Sequence, residues 1–435
     1  MASTGDVGDP VGGEPRLALV SWSLYDWANS AFPTIIITFV FAAYFTKAVA
    51  ESPVLGTAQW GWAISLAGLF IALLSPVLGA IADQTGRRKP WLSTFTVLCI
   101  VATAMLWFVR PSPDYVLWAL VFVGLATVAF DFAMVFYNAM LPALAPHDRL
   151  GRWSGWGWAA GYAGGLACLV VALICFVQAE APWFGLEKET AEHVRVTTLL
   201  VAVWFAVFSL PLFLFTPDRK ATGVSFATAV RDGIKTLVGS LRNIRRYRVI
   251  ARFLIARMIY TDGLNTLFIF GGVYAVGTFA MSVAEVIRFG IALNITAGLG
   301  AAAFAWVDDR IGPVRTILIG LAALILLGGV LLTIESKDLF WTIGLALGVF
   351  VGPVQAASRS MMARLAPVEL QTEMFGLYAL SGKVTAFLGP FLVGWVTLLF
   401  DSQRLGMATI FVFFALGLLI LFPLRRVPMG RQASS

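Results

Sequence analysis

The sequence predicts an all-α integral membrane protein of twelve transmembrane helices arranged as two pseudo-symmetric six-helix bundles, and three observations carry that expectation. Apolar runs of crossing length recur along the chain, Lys and Arg collect in alternate connections, and short polar motifs of the first half return in the second. Composition sets the frame. Of the 435 residues 59% are apolar and only 13% charged, too little polar material to cover a soluble globule.

A helix needs about 20 apolar residues to cross the hydrocarbon layer. Runs of that kind lie at 18–46, 58–81, 91–109, 115–138, 155–177, 197–215, 250–276, 284–306, 316–333, 339–358, 374–399 and 407–424. Ahead of them, 1–16 is polar and rich in Gly and Pro, without the basic start and short apolar core of a cleavable signal, and reads as a cytosolic tail. With that end inside, 22 of the 31 Lys and Arg fall on the inner side, six outside and three within spans. Such an asymmetry predicts cytosolic termini and an even number of spans. It also accounts for the net charge of +7, so nucleic acid is not an expected partner. The longest and most basic break, 216–249, separates a first bundle at 17–215 from a second at 250–424, with 425–435 as a cytosolic tail. Cys99, Cys168 and Cys175 sit in apolar runs without metal-ligand spacing or a disulfide pattern; no metal or cofactor is expected.

The two bundles repeat each other. Asp26 and Asn29 in span one are spaced as Asp262 and Asn265 are in span seven, 236 residues later. Asp83, Gly86 and Lys89 after span two match Asp309, Gly312 and Arg315 after span eight, 226 later. Leu144-Ala145-Pro146, followed nine residues on by Gly155, returns as Leu365-Ala366-Pro367 and Gly376, 221 later. All three matches link span n to span n+6, the mark of a duplicated six-helix unit.

Charge inside a bilayer costs about 2.5–3.5 kcal/mol on insertion scales, so ionisable residues there face protein or water. Six stand within spans and clear of their terminal turns: Asp26, Asp131, Arg257, Asp262, Arg288 and Lys383. None falls in spans three, six, nine or twelve, which predicts that these four are peripheral and the rest surround a polar cavity. Asp26, Asn29, Asp131, Arg257, Asp262, Asn265 and Lys383 are the expected substrate or ion pathway. Asp26 and Asp262 fit either a direct role or plain interhelical hydrogen bonds, and both readings stand at this point. Asp131, flanked by Val128-Ala129-Phe130 and Phe132-Ala133, is the candidate proton carrier unless Lys383 or Arg257 pairs with it. Trp153, Trp156 and Trp158, set among glycines, read as packing and interfacial residues.

These segments resemble a known family. Gly79-Ala80-Ile81-Ala82-Asp83-Gln84-Thr85-Gly86-Arg87-Arg88-Lys89 is similar to the loop motif of the major facilitator superfamily between spans two and three. Tyr25-Asp26-Trp27-Ala28-Asn29-Ser30-Ala31-Phe32, Phe136-Tyr137-Asn138-Ala139, Ser154-Gly155-Trp156-Gly157-Trp158, Asp262-Gly263-Leu264-Asn265 and Ser381-Gly382-Lys383 resemble the branch containing the autophagy-related vacuolar amino acid effluxer and its bacterial relatives. The likeness runs from about Ser21 to Leu424. It implies the major facilitator fold, alternating access, efflux of amino acids by analogy, and a bacterial plasma membrane as location. Asp83, Gly86, Arg87, Arg88, Lys89, Asp309 and Arg315 are then the expected cytosolic gate, the cations of the first loop pairing with carboxylates or helix C-termini of the opposite bundle. The second loop departs from the motif, with Pro313 and Val314 where the first has Arg87 and Arg88.

The expected function is secondary transport of a small solute, coupled to protons or sodium, in the lipid bilayer and without need of an oligomer. A sugar–cation symporter of the same superfamily is the alternative, and a passive channel or solute receptor the alternative of another class. An enzyme is disfavoured, since there is no HExxH or GxSxG and both histidines, His147 and His193, lie in loops. Nothing resembles a Walker A sequence, so direct ATP drive is not expected.

Overall fold

A computed structural model describes residues 16–427; the tail ahead of Arg16, and the end of the chain with Arg431, lie outside the described residues. Among these residues eleven helices are long and apolar enough to cross a membrane. In chain order they are Arg16–Val49, Pro53–Thr85, Lys89–Phe108, Pro113–Leu144, His147–Val177, Glu192–Phe215, Arg245–Phe279, Glu285–Ile311, Pro313–Thr333, Lys337–Leu365 and Gln403–Arg426. They are spans one to ten and span twelve.

Span eleven crosses in two pieces, Gln371–Ser381 and Leu388–Phe400. The inner piece ends at its C-cap Gly382, and the outer piece carries Pro390 in its first turn, where a residue without an N–H leaves no helix bond unmade. With that span counted, the chain has the twelve-helix fold of two pseudo-symmetric bundles.

Each half packs around itself first. Span three lies against four and six, and span nine against ten and twelve, so these peripheral helices pack on partners of their own half. The halves meet where spans two and eleven cross and, symmetrically, where spans eight and five cross. Gly376 faces the backbone of Ser75 and Pro76, and Gly155 faces Ala301 and Ala305; a Cβ at either glycine would overlap those atoms. Counted from the repeated motifs, these are the same contact twice.

The connection between the halves carries its own helix, Phe226–Arg242. It lies on span two through Ala229, Gly233 and Leu237, with Gly233 against the backbone of Ala80 and Ile81. The side of the molecule bearing this helix is called the linker face below.

Helix starts differ between the faces. On the face away from the linker, Ser52, Ser282, Ser336 and Ser402 cap spans two, eight, ten and twelve with their own hydroxyls. On the linker face spans five and eleven begin after Arg149 and Leu370, neither of which caps with its side chain. Their orphan amides are satisfied from elsewhere, and that need builds the first part of the site.

Candidate functional site

On the linker face each half caps a helix of the other. Asp83, at the end of span two, accepts hydrogen bonds from the amides of Thr372 (3.2 Å) and Glu373 (2.8 Å), the second and third residues of span eleven. Asp309, at the end of span eight, accepts from the amide of Arg152 (3.2 Å) in the first turn of span five. A carboxylate on the positive end of a helix dipole satisfies open donors and opposite charge together. Gly86 and Gly312 follow the two acids with φ of +81° and +86°, the left-handed turn that ends both helices.

An arginine completes each latch, from different places. Arg88 is buried and crosses to the second half, donating to Thr372 Oγ1 (3.0 Å) and Gln371 Oε1 (3.1 Å), and it also holds Ala139 O (2.6 Å) of span four. Burial pushes its guanidinium down to about 10, still charged near neutral pH. Val314 stands at its counterpart, and Arg364 of span ten takes over: it pairs with Asp309 at 3.3 Å and donates to His147 O of the first half.

Two expectations are corrected here. Arg87 and Lys89 do not cross: Arg87 pairs with Asp218 at 3.7 Å, and Lys89 donates to Phe213 O and Thr216 O, all beside their own half. The element gripped is a helix N-terminus, held by an acid, because the open donors lie there. Arg315, Lys89's counterpart, is exposed.

Deeper in the membrane lies a residue absent from the expected pathway. Arg359 of span ten is 2% exposed and pairs with Asp26 of span one at 2.8 Å, joining the halves. It also donates to Ser154 Oγ (3.0 Å), Ser154 O (2.7 Å) and Asn138 Oδ1 (3.4 Å). Its guanidinium carbon sits 4.9 Å from the ring centre of Trp22 and 5.6 Å from that of Trp158. Trp22 and Tyr137 stack at 4.6 Å and exchange hydrogen bonds through Trp22 Nε1 and Tyr137 OH, which fixes this aromatic wall. Gly157 lets the wall close: a Cβ there would fall on Asp26 and Arg359. So many donors and rings around one pair meet the desolvation cost that a bare buried pair would not.

Within the membrane, about 20 Å from the Leu144 end of span four and about 27 Å from the Pro113 end at 1.5 Å per residue, Asp131 pairs with Lys383 of span eleven at 2.9 Å. Both side chains are partly exposed, at 18% and 34%. The surroundings of Asp131 are thus less apolar than its sequence neighbours imply, because a cation from the other half faces it. Arg257 is not that cation. It donates to Tyr378 O (2.6 Å) and Ser381 Oγ (2.7 Å) and stacks 3.4 Å over the Tyr378 ring, pinning the end of the inner piece of span eleven. Asp262 is buried and accepts from the amide of Gly389, both oxygens at 3.3 Å, in the first turn of the outer piece. Among the described residues no cation pairs with it. Asn29 reaches Met134 Sδ at 3.4 Å and Asn265 is half-buried.

Comparison with known proteins accords with this architecture. Residues 60–434 match the family described as "Vacuole effluxer Atg22 like". The chain is 28% identical over 404 residues to the "Uncharacterized MFS-type transporter YxiO" of Bacillus subtilis, covering 92% of this chain and 93% of that protein. To "Autophagy-related protein 22" of Kluyveromyces lactis it is 23% identical over 391 residues, 82% of this chain and 77% of the relative. Among solved structures, the human organic anion transporter MFSD10 superposes with a TM-score of 0.71 at 14% identity, over 94% of this chain and all of that one. The transporter FucP in its outward conformation gives 0.72 at 12% identity, over 95% of this chain and 99% of that one.

Proposed function

Because the chain belongs to the Atg22-like vacuole effluxer family of major facilitator transporters, we propose that it expels a small zwitterionic solute of the amino acid class by alternating access, coupled to protons. It is a membrane transporter and not an enzyme. The reading of substrate class rests on the Asp26–Arg359 pair. Opening the linker face separates span one from span ten and leaves an acid on one wall and a guanidinium on the other, both in a desolvated cleft. A zwitterion satisfies both at once, its ammonium at Asp26 and its carboxylate at Arg359. A neutral sugar would leave both charges unpaired, which argues against the sugar–cation alternative. In the closed state the protein's own pair occupies the positions that the solute takes over.

The linker face is, in this reading, the cytosolic face of a bacterial plasma membrane, an assignment supported by the distribution of Lys and Arg. Asp262 becomes the proton carrier in place of Asp131. It is buried, bonded through a single backbone amide and free of a cation partner among the described residues, so gaining a proton breaks no ion pair. Losing that cap on protonation would release the outer piece of span eleven.

Exchange of labelled amino acids in proteoliposomes tests both parts. Arg359→Gln is expected to abolish exchange of zwitterions; native exchange rates in that variant would end the substrate reading. Asp262→Asn is expected to keep exchange but lose accumulation driven by a pH gradient, and undiminished accumulation would remove the carrier assignment.

A further inference from the structure

The connecting helix ends beside a polar hollow that takes no part in the cycle just described. Between its last turn and the start of span seven lies a cavity of about 540 Å³, lined by Arg242, Arg245, Arg246, Ser240 and Asn243, with Leu370 of the second half closing one side. Among the described residues none of the three guanidinium groups pairs with a carboxylate. Three like charges within five residues repel one another, and a concave wall concentrates their field. Donors without acceptors, converging on a hollow of this size, suit the oxygens of a phosphate.

The walls come from both halves. Gln84 at the end of span two donates to Thr236 Oγ1 on the pocket side of the connecting helix (3.4 Å), which fixes that wall to the first half. Leu370 immediately precedes the span-eleven turn whose amides Asp83 caps. The hollow is complete only while the linker face is closed.

We propose that this hollow binds a phosphate group, and that a phosphate held there favours the state closed on the linker face. The phosphate belongs either to an anionic lipid headgroup or to a free anion, and the helix favours the headgroup. Phe226, Ile234, Val238 and Leu241 are exposed and fall within a sector of about 120° on the helix. Arg231, Arg242 and Lys235 lie along one edge of that stripe, and the buried face on span two lies along the other. An apolar stripe edged by cations is the pattern of a helix lying in the headgroup layer.

The full chain, purified in detergent, is titrated with dioctanoyl phosphatidylglycerol, dioctanoyl phosphatidylcholine or inorganic pyrophosphate while its thermal midpoint is followed. A second readout is maleimide labelling of Ala305→Cys, which lies against Gly155 across the junction and reacts only when the halves part. The phosphatidylglycerol is expected to raise the midpoint and slow labelling, and the phosphatidylcholine to do neither. Arg245→Gln/Arg246→Gln is expected to weaken the apparent affinity about tenfold or more, as the loss of charge-assisted bonds requires. Gly239→Leu, whose Cβ meets nothing within 4 Å, fills the hollow without touching the charges and is expected to weaken it similarly. If the arginine variant does not fold, Gly239→Leu carries the test alone. Action by pyrophosphate as well would identify the free anion as a source; action by the lipid alone identifies the headgroup. No shift with either probe, or native affinity in Gly239→Leu, overturns the site. A raised midpoint with unchanged labelling overturns its preference for the closed state. None of these outcomes depends on which solute is transported.

Discussion

The two halves agree at the linker face and disagree inside the membrane. At the face, Asp83 caps span eleven and Asp309 caps span five, with small residues meeting beneath each cap. Inside, Asp26 has Arg359, whereas Asp262 has no such partner: counting from the shared Leu-Ala-Pro motifs, the counterpart of Arg359 is Asn138. Leu169 likewise stands in continuous span five where Pro390 stands in the first turn of the outer piece of span eleven. Closing the face is a mechanical task that both halves share equally, so the duplicated contact persists. On the proposed reading the solute has two unlike ends and needs unlike walls, and it is there that the halves differ.

The comparison can be broken at its strongest point first. Arg359→Gln alone leaves Asp26 buried without a partner and is expected to lower stability by about 3–5 kcal/mol. Asp26→Asn/Arg359→Gln should recover most of that loss, read as the thermal midpoint; a double variant as unstable as the single would show that the pair is not the unit. Next come the latches. Asp83→Ala and Asp309→Ala should each cost about 1–2 kcal/mol of the closed state, the range for a lost helix cap. Faster labelling of Ala305→Cys measures it, and widely different effects of the two variants would end the claim of symmetry. The smallest effect belongs to Asp131→Asn. Because that pair is open to water, its loss should shift stability by less than about 1 kcal/mol. Transport is the more sensitive measure: Asp131→Asn/Lys383→Gln should regain exchange that Asp131→Asn loses, and failure to regain it would give Asp131 a role beyond pairing.

Much of the fold is legible because membranes enforce long apolar helices, and the repeated Asp, Gly and Leu-Ala-Pro motifs mark the duplication in the sequence itself. The latch acids were legible for the same reason. Arg359 was not. Arg359 falls where the apolar run gives way to polar residues and so reads as the inner end of span ten, one residue beyond 358, whereas the helix continues to Leu365 and Asp26, Ser154 and Asn138 receive the guanidinium inside the protein. The polar run Ser358-Arg359-Ser360 was the available signal. The sequence leaves Lys383 and Arg257 as partners for Asp131; the structure pairs it with Lys383, while Arg257 is held by Tyr378 and Ser381. Arg87 and Lys89 looked equal to Arg88 in the motif; which of three adjacent cations crosses depends on backbone direction after Gly86, which spacing does not encode.

The crosswise caps also bear on how the chain is made. The amide of Thr372 is synthesised 289 residues after the Asp83 carboxylate that receives it. At about 5–20 residues per second the acid waits on the order of 15 to 60 s for its partner. Through that interval the first half sits in the bilayer with Asp83 and Arg88 hydrated at the water boundary. The nascent protein therefore cannot close this side until the ribosome has nearly finished, and closure reports that the second half has arrived.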